Sequence, residues 1–251
     1  WALETLGKQI LKADYDVIAL QEVNQRIDSP DVLQAPYTLE NQHHLHEDNY
    51  ALKLVEYLKE KGATYYFTWA YSHIGYDKYH EGVALLSKQP FSSEKSALTS
   101  AVDDEYNYHT RRALIAKTTV AGKELCVVSG HFSWWKSDFK SEWHRLEKAL
   151  VAEATPLVIM GDFNNPENTP GHELVLASPL GLKDSHLAAK KVTGGPTILQ
   201  DIDGWENNDK ALRIDFIFVS QQLEVKESHV LFDGKKSPLI SDHFGVECVI
   251  E

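Results

Sequence analysis

The chain has 251 residues, of which 43% are hydrophobic, and a formal net charge of −12. This composition predicts a soluble globular protein with a sizeable core, and no apolar run approaches the length needed to cross a bilayer. The acidic charge argues against a wide basic groove for a nucleic-acid backbone, although a metal ion would still permit phosphate chemistry.

The first half of the chain begins with helical periodicity. Apolar residues at helical spacing predict a helix over residues 3–11, and the strand-like run 16–20 follows at once. A long polar segment then leads to a second amphipathic helix over residues 52–58, which Gly62 ends in a C-terminal cap position.

Strands dominate the remainder. Four strand-like runs come first, at 65–71, 81–87, 111–120 and 124–130, and the last two are joined by the turn Ala121-Gly122. A helix from about Asp138 to Ala154 precedes the strand in LVIMGDFNN, and three more strands are predicted at 213–220, 223–232 and 245–251. Because strands outnumber helices, we predict an α/β protein in which two mixed, mostly antiparallel sheets pack face to face with helices outside.

No linker divides the chain, so residues 1–251 are predicted to form a single domain. The N-terminal sequence lacks the zones of a signal peptide, and a cytoplasmic location is therefore the default expectation. Cys126 and Cys248 each lie in a strand-like apolar run, and we interpret both as core residues rather than as a disulfide or a reactive thiol.

Polar residues directly follow buried strands at five places. They are Glu22, His131, Asp162 with Asn164, Asp215, and Asp242 with His243. Taken singly, each is explained as well by a turn cap or a solvent-facing side chain. Together they supply carboxylates that bind a hard divalent ion, an amide that holds phosphate oxygens and imidazoles that transfer protons. The set therefore predicts metal-assisted hydrolysis of a phosphate ester.

Six motifs occur in a specific order between residues 20 and 245: LQEV, EGVALLS, SGHF, GDFNN, RIDFIF and SDHFG. In this order the sequence resembles the endonuclease/exonuclease/phosphatase superfamily, which includes DNase I-like nucleases, exonuclease III-like enzymes, sphingomyelinases and inositol polyphosphate phosphatases. The resemblance implies a four-layer α/β sandwich, in agreement with the strand count. It also implies Mg²⁺, or alternatively Mn²⁺, as the cofactor.

The resemblance assigns a role to each motif residue. Glu22 becomes a ligand of the metal ion, and Asp242 lies beside that ion. Asp162 becomes the carboxylate that orients or deprotonates the attacking water, while Asn164 holds the phosphate or the metal. The family normally opens with a strand that ends in a site Asn, and we expect that strand to lie upstream of Trp1.

The two histidines are expected to work in pairs with carboxylates. The resemblance implies that His243 contacts the phosphate and that Asp215 fixes its imidazole from behind. It pairs His131 with Glu81 in the same way, and a carboxylate behind an imidazole favours the protonated form. An ordinary strand-start charge is the other interpretation of Glu81.

Three interpretations of the function remain open: a phosphatase for a small phosphorylated sugar, a nuclease or nucleotide phosphodiesterase, and a binding protein with a degenerate site. The acidic charge and the tryptophans favour the first, since flat rings suit the apolar face of a sugar. Asn164, Arg112, Trp134 and Trp135 are the expected substrate contacts. Core packing is the alternative for the tryptophans, and the roles of Trp205 and of the 41–49 loop stay open.

Within the superfamily, the segment QHHLHEDNYAL together with SGHFSWW and RIDFIFV looks most like the bacterial maltose 6'-phosphate phosphatase branch. That resemblance implies a cytoplasmic enzyme that releases maltose and phosphate after phosphorylated uptake of the sugar. The expected partner is thus a small phosphorylated sugar, with no membrane, and the acidic charge disfavours nucleic acid as a partner.

Overall fold

The computed structural model describes residues 1–32 and 44–251. Its helices are α1 (Ala2–Ala13), α2 (Tyr50–Glu60), α3 (Phe139–Leu150), α4 (Pro170–Leu176) and α5 (Ser185–Ala188). Its strands are β1 (Val17–Arg26), β2 (Tyr66–Gly75), β3 (Tyr79–Ser87), β4 (Ser93–Leu98), β5 (Arg112–Val120), β6 (Lys123–His131), β7 (Leu157–Asp162), β8 (Leu182–Asp184), β9 (Lys191–Thr193), β10 (Asp215–Ser220), β11 (Val225–Leu231) and β12 (Gly245–Ile250).

The strands of the described part form three sheets. A six-stranded sheet has the order β4-β5-β6-β7-β10-β8, and two three-stranded sheets have the orders β1-β3-β2 and β12-β11-β9. Most neighbours are antiparallel, but β6 pairs with β7 in parallel, as β9 does with β11. The structure thus confirms mixed, mostly antiparallel sheets, with three hydrogen-bonded sheets where the sequence predicted two.

Apolar residues alternate between the two faces of the six-stranded sheet. On one face, Val158 and Met160 of β7 pack in a core shared with both smaller sheets. On the other face, Leu157 and Ile159 pack against α3 and α4, while α1 and α2 cover the outer face of β1-β3-β2. The layers are therefore helix, sheet, sheet and helix, which confirms the predicted sandwich.

The inner face continues into the polar strand ends. Asp162 lies two residues after Met160, and Asp215 lies two residues before the inward-facing Ile217. Because side chains alternate along a strand, both aspartates lie on the inner face. They line one end of a groove between β1 and β12, whose walls also include Glu22 and His243.

The structure extends the sequence prediction in several places. Strand β4 was not predicted, because it is a partly exposed edge strand whose residues SEKSAL lack a long apolar run. The cysteines are both free, and Cys126 is buried as predicted. None of the helices in the described part of the chain is both long and apolar enough to cross a membrane.

Candidate functional site

Three candidate residues lie side by side because of strand register. His131, at the end of β6, is opposite Asp162 at the end of β7. Asp162 is in turn opposite Asp215, the first residue of β10. In-register neighbours point to the same face of a sheet. Register therefore places one imidazole and two carboxylates in a single row.

The row depends on a close approach between β6 and β7. Gly130 and Gly161 are opposite each other, immediately before His131 and Asp162. A Cβ atom at Gly161 would lie 1.9 Å from the backbone oxygen of Gly130. Glycine is required here because any side chain would separate the two strands. This explains the glycine of the GDFNN motif.

The two asparagines of GDFNN tie β7 to the loop that follows β6. Asn164 donates from Nδ2 to the carbonyl oxygen of Phe132 at 2.9 Å, and Asn165 donates to that of Ser133 at 3.1 Å. Ser133 is itself held by the buried Glu142 of α3, which accepts from its backbone N and its hydroxyl at 2.8 and 2.7 Å. The structural role of joining β7 to this loop is enough to explain Asn165. Asn164 makes the same kind of hydrogen bond but also lies at the edge of the row.

Backbone strain accompanies two of the candidate residues. Glu22 has a φ of 52° and Asn164 a φ of 47°. A positive φ costs free energy for residues other than glycine, and such strain is concentrated at functional sites. Glu22 lies where the β1–β3 register shifts between Leu20 and Val23, which is a β-bulge.

Glu22 approaches the row from the opposite sheet. The side chain of Gln21 donates to Ser129 Oγ at 3.1 Å, and Ser129 Oγ donates to the carbonyl of Leu20 at 3.1 Å. These bonds hold β1 against β6. The Glu22 side chain is open to solvent on one side, yet enclosure by the surrounding protein and then the charge of Glu81 raise its pKa to about 7.

His243 is held as a cation. Its Nδ1 lies 3.1 and 3.0 Å from the two carboxylate oxygens of Asp215, and its Nε2 lies 3.8 Å from Asp162 Oδ2. Burial alone would lower the pKa of His243, but the hydrogen bond to Asp215 and the charges of Asp162, Asp215 and Asp242 outweigh burial and raise it to about 10. The structure therefore places Asp215 and His243, the predicted partners, in contact.

The pKa values of Asp162 and His131 are shifted in opposite directions. Burial and then the charge of Asp215 raise the pKa of Asp162, whose side chain is only 6% exposed. Burial also lowers the pKa of His131 well below its usual range, and the charges of Arg111, His243 and His73 act in the same direction. Since His131 Nε2 lies 3.5 Å from Asp162 Oδ2, a neutral imidazole adjoins a carboxylate of increased basicity.

The two aspartates of the row supply the carboxylate oxygens of a divalent-metal site, and His243 lies beside them. One side-chain N or O atom each from Asp162, Asp215 and His243 lies within 4.8 Å of the others. Among residues 1–32 and 44–251, this is the single group of three or more His, Cys, Asp or Glu side chains that lie this close together. The raised pKa of the buried Asp162 means that the protein supplies too little positive charge there, and carboxylate oxygen is the ligand that hard divalent ions prefer. Glu22 and Asp242, the predicted metal ligands, lie outside this group.

The structure differs from the sequence prediction for Glu81. Its Oε1 lies 3.4 Å from Nε2 of the buried His73, and the two residues are cross-strand partners. His73 Nδ1 also hydrogen-bonds the carbonyl of Thr110 at 3.0 Å. The predicted Glu81–His131 pair is therefore replaced by Glu81–His73, and His131 is held neutral rather than protonated.

The expected substrate contacts differ in their surroundings. Arg112 already pairs with Asp103 at 2.6 Å. Trp135 is 41% exposed, and Trp134 has a buried Nε1 without a hydrogen-bond partner. Of the 41–49 loop, residues 41–43 lie outside the described residues, and residues 44–49 pack on β1 through hydrogen bonds to Gln25.

Sequence reasoning missed Arg111 and left the role of Trp205 open. Arg111 is 5% exposed, its buried Nε has no hydrogen-bond partner, and its charge lowers the pKa of Glu22 and of His131. The sequence shows that Arg111 and Arg112 are adjacent. It does not show that Arg112 pairs with Asp103 while the Nε of Arg111 has no hydrogen-bond partner. Trp205 donates from Nε1 to Asn164 Oδ1 at 2.8 Å, a contact that no local pattern signals.

A second cluster of charged residues lies near the first, and it is fully paired. Arg213 contacts Asp184 at 2.8 Å and Glu167 at 2.7 Å, and Asp184 contacts His172 Nε2 at 2.9 Å. Burial alone would raise the pKa of Asp184, but hydrogen bonds from His172 and Arg213 outweigh it and lower the pKa. His172 stacks on Phe216, on the helix-facing side of β10.

Comparisons with known proteins agree with this geometry. A family model described as the endonuclease/exonuclease/phosphatase family matches residues 2–243. Among curated proteins, none is similar enough to count as a match. A solved structure of an endonuclease/exonuclease/phosphatase family protein from Leptotrichia buccalis is 30% identical, with a TM-score of 0.87, over 100% of this chain and 92% of that one.

More distant solved structures share the fold alone. One is a mannosyl-6-phosphatase from Bacteroides thetaiotaomicron, 17% identical with a TM-score of 0.69 over 100% of this chain and 90% of that one. Another is D. rerio TDP2 in complex with a single-strand DNA product, 16% identical with a TM-score of 0.66 over 100% of this chain and 91% of that one.

Proposed function

Because the chain belongs to the endonuclease/exonuclease/phosphatase family, we propose that it is a metal-dependent phosphatase of a small phosphorylated sugar, such as maltose 6'-phosphate. The observation that carries the proposal is the cluster at the strand ends, where the carboxylates of Asp162 and Asp215 lie beside the His243 imidazole, with one atom of each within 4.8 Å of the others. Members of this family hydrolyse phosphoester bonds, and this donor set suits such chemistry.

Glu22, with Asp242 nearby, would hold Mg²⁺, or alternatively Mn²⁺, beside the aspartates of the row. When bound, a divalent ion supplies positive charge that polarises the phosphoryl group. Removal of Glu22 should therefore weaken metal binding without unfolding the chain.

The chain's own residues would carry the proton transfers. Asp162, whose pKa is raised by burial and by Asp215, is a stronger base than an ordinary carboxylate and would take a proton from the attacking water. His243, whose pKa is raised to about 10 despite burial by its contacts with Asp215 and Asp162, would present a cation to the charge that develops on the phosphoryl oxygens. His131 would act as a neutral imidazole.

The substrate class rests on charge and on aromatic side chains. A net charge of −12 disfavours a protein that tracks a polyanion. Trp134 and Trp135 follow His131 by three and four residues and would offer flat surfaces to a sugar ring. A phosphorylated sugar of this kind is a cytoplasmic metabolite after uptake, and the cytoplasm is the proposed location.

A nuclease or nucleotide phosphodiesterase is the second candidate. The fold is shared both with a protein named as a mannosyl-6-phosphatase and with TDP2 in complex with a DNA product, so the fold does not choose between them. A binding protein with a degenerate site is the third candidate, and metal-dependent turnover of any phosphate ester would exclude it.

The test is a comparison of kcat/KM for maltose 6'-phosphate, glucose 6-phosphate, p-nitrophenyl phosphate and plasmid DNA at one Mg²⁺ concentration. We expect the disaccharide phosphate to be the best substrate, because binding energy from the remote sugar is expressed in catalysis. Trp134→Ala and Trp135→Ala should lower kcat/KM for the sugar phosphates more than for p-nitrophenyl phosphate. Equal rates for the three small esters would exclude a sugar pocket, and efficient plasmid nicking would establish the nuclease.

A further inference from the structure

Residues 199–211 form a closed loop beside the row. Its ends meet at an isolated bridge between Ile198 and Leu212, whose backbones exchange hydrogen bonds of 3.0 and 2.9 Å. Within the loop, Asp201 accepts from the backbone of Asn207 at 2.7 Å, and Asn208 donates to the carbonyl of Lys210 at 2.7 Å. A loop with joined ends and internal bonds is a compact, ordered unit.

Three consecutive residues of this loop contact three different parts of the rim. Asp203 accepts a hydrogen bond from the hydroxyl of Tyr76. Gly204 packs against Trp134 so closely that a Cβ atom would lie 2.5 Å from the ring. Trp205 donates to Asn164 at 2.8 Å. The loop thus reaches the rim of the site and is fixed there.

The Trp205 contact determines how the Asn164 amide is turned. Asn164 Oδ1 accepts from Trp205, and Asn164 Nδ2 donates to the carbonyl of Phe132 at 2.9 Å. A half-turn of the amide would bring two donors together at Trp205 and two acceptors together at Phe132, so it is strongly disfavoured. The second N–H of Nδ2 has no acceptor among the described residues.

We propose that Trp205 is a positioning residue, which holds Asn164 with this second N–H available to a phosphoryl oxygen of the substrate. The proposal rests on the proposed function only in requiring a phosphoryl group at the site. Asn164 is 4% exposed and its backbone is in the left-handed region at a φ of 47°. A preorganised donor of this kind needs a neighbour that fixes its orientation, and Trp205 is that neighbour.

The first experiment detects the contact without turnover. The chain has six tryptophans, and their indole N–H groups give separate ¹H–¹⁵N NMR resonances. Trp205→Phe identifies one resonance by its loss, and Trp1→Phe, which removes an exposed indole, is the matched control. We expect Asn164→Ala to shift the Trp205 resonance upfield, because its acceptor is removed. An unchanged resonance would overturn the proposal.

The second experiment is a double-mutant cycle on the best phosphate ester. Trp205→Phe keeps a ring but removes the donor, and we expect kcat to fall about fivefold, the effect of one lost hydrogen bond. In an Asn164→Ala background, the same change should have no further effect on kcat. Equal losses in both backgrounds would show that Trp205 acts independently of Asn164 and would overturn the proposal.

Gly204→Ala provides a second variant if Trp205→Phe folds poorly. Its Cβ would meet Trp134, so the loop must shift. On p-nitrophenyl phosphate, which has no sugar to contact Trp134, kcat should again fall only where Asn164 is present. Failure of the proposed function is distinguishable: if the chain hydrolyses DNA rather than sugar phosphates, the cycle is measured on DNA. If no phosphate ester is hydrolysed, the phosphoryl role of Asn164 is overturned, while the indole resonance still decides whether Trp205 holds it.

Discussion

The two faces of β10 carry charged clusters built from the same residue types. On the inner face, Asp162, Asp215 and His243 meet without any lysine or arginine ion pair among the described residues. On the helix-facing side, Asp184 and His172 meet, but the guanidinium of Arg213 joins them. Each cluster contains a buried aspartate in contact with a histidine.

The difference between the clusters is charge balance. In the helix-side cluster the protein supplies the cation, and the pKa of Asp184 falls although burial opposes this. In the inner cluster burial and Asp215 raise the pKa of Asp162, since His243 compensates the carboxylates only in part. Removal of one partner from a buried pair that the protein balances is strongly destabilising, whereas a cluster left unbalanced is suited to bind an external cation.

The largest expected effect is on turnover. Asp162→Asn should lower kcat roughly 10²- to 10⁴-fold, because the change keeps the shape but removes the basicity that the water requires. The folded chain should be as stable as the parent or more stable in metal-free buffer at pH 7, since a carboxylate with a raised pKa is replaced by a neutral amide. Steady-state kinetics and thermal melting measure both. Near-normal turnover would remove Asp162 from the mechanism.

The matched change in the balanced cluster should act on stability. Asp184→Asn leaves Arg213 without its most buried partner, and we expect a loss of about 3 kcal/mol or more in the free energy of unfolding. Because the folded-state pKa of Asp184 is lowered, its stabilising contribution is complete above the usual carboxyl range and is lost as the pH falls through the folded pKa.

Urea denaturation of the parent and Asp184→Asn from pH 7 down to pH 3 measures this. The two stabilities should converge toward the acid end. A constant difference at every pH would indicate that the loss is one of packing. A large loss of kcat at unchanged stability would mean that the two clusters are not functionally separate.

The metal requirement should also distinguish the two clusters. Glu22→Gln should raise the Mg²⁺ concentration for half-maximal activity roughly tenfold, because an anionic oxygen ligand becomes a neutral one. Glu167→Gln, which alters an acid of the balanced cluster, is the control and should leave the Mg²⁺ titration unchanged. Identical titrations for the parent and Glu22→Gln would place Glu22 away from the metal.

Arg213 and Arg111 differ in the same way as the two clusters, and the expected effect of changing Arg111 is smaller. Arg213 has two carboxylate partners, whereas Arg111 has a buried Nε without one. We expect Arg111→Gln to raise KM for the phosphate ester about fivefold, the worth of one hydrogen bond to the substrate. Arg112→Gln tests the residue predicted from the sequence. A larger effect at Arg112 would return the substrate contact to that residue.

The smallest effect concerns protonation. In ¹H–¹⁵N NMR without added divalent ions, His243 should be a cation at pH 7 and His131 neutral, as the opposite directions of their pKa values require. Asp215→Asn should lower the pKa of His243 by about one pH unit or more, because the hydrogen-bonded carboxylate is removed. If both rings titrate near pH 6.5, the neighbouring groups do not shift the pKa of either histidine.

Much of the fold and part of the site could be predicted because the signals are local. An aliphatic run followed by a polar residue marks the end of a buried strand, so Asp162 was found from a single motif. Asp215 was found in the same way but begins β10 instead of following a strand. Their adjacency was not predictable in this way. It depends on the pairing of β7 with β10, which joins residues more than 50 positions apart in the chain.

The errors have the same physical origin. Strand β2 was expected to end at Tyr71, but the register shifts between Tyr71 and His73, and the shift places His73 opposite Glu81. A bulge of this kind changes which side chains face each other, and no residue pattern announces it. The partners of Arg111 and of Trp205 likewise depend on tertiary packing.

The bridge between Ile198 and Leu212 allows the 199–211 loop to change in sequence independently of the sheets. Because the two ends of the 199–211 loop are already joined to each other, an insertion, a deletion or a transplanted sequence between them leaves the strand register untouched. Selection can therefore vary substrate preference through this short segment while the hydrolytic residues of β6, β7 and β10 stay fixed. Loop-exchange libraries that vary these 13 positions but retain Trp205, which holds Asn164, are a direct route to new specificities on the same scaffold.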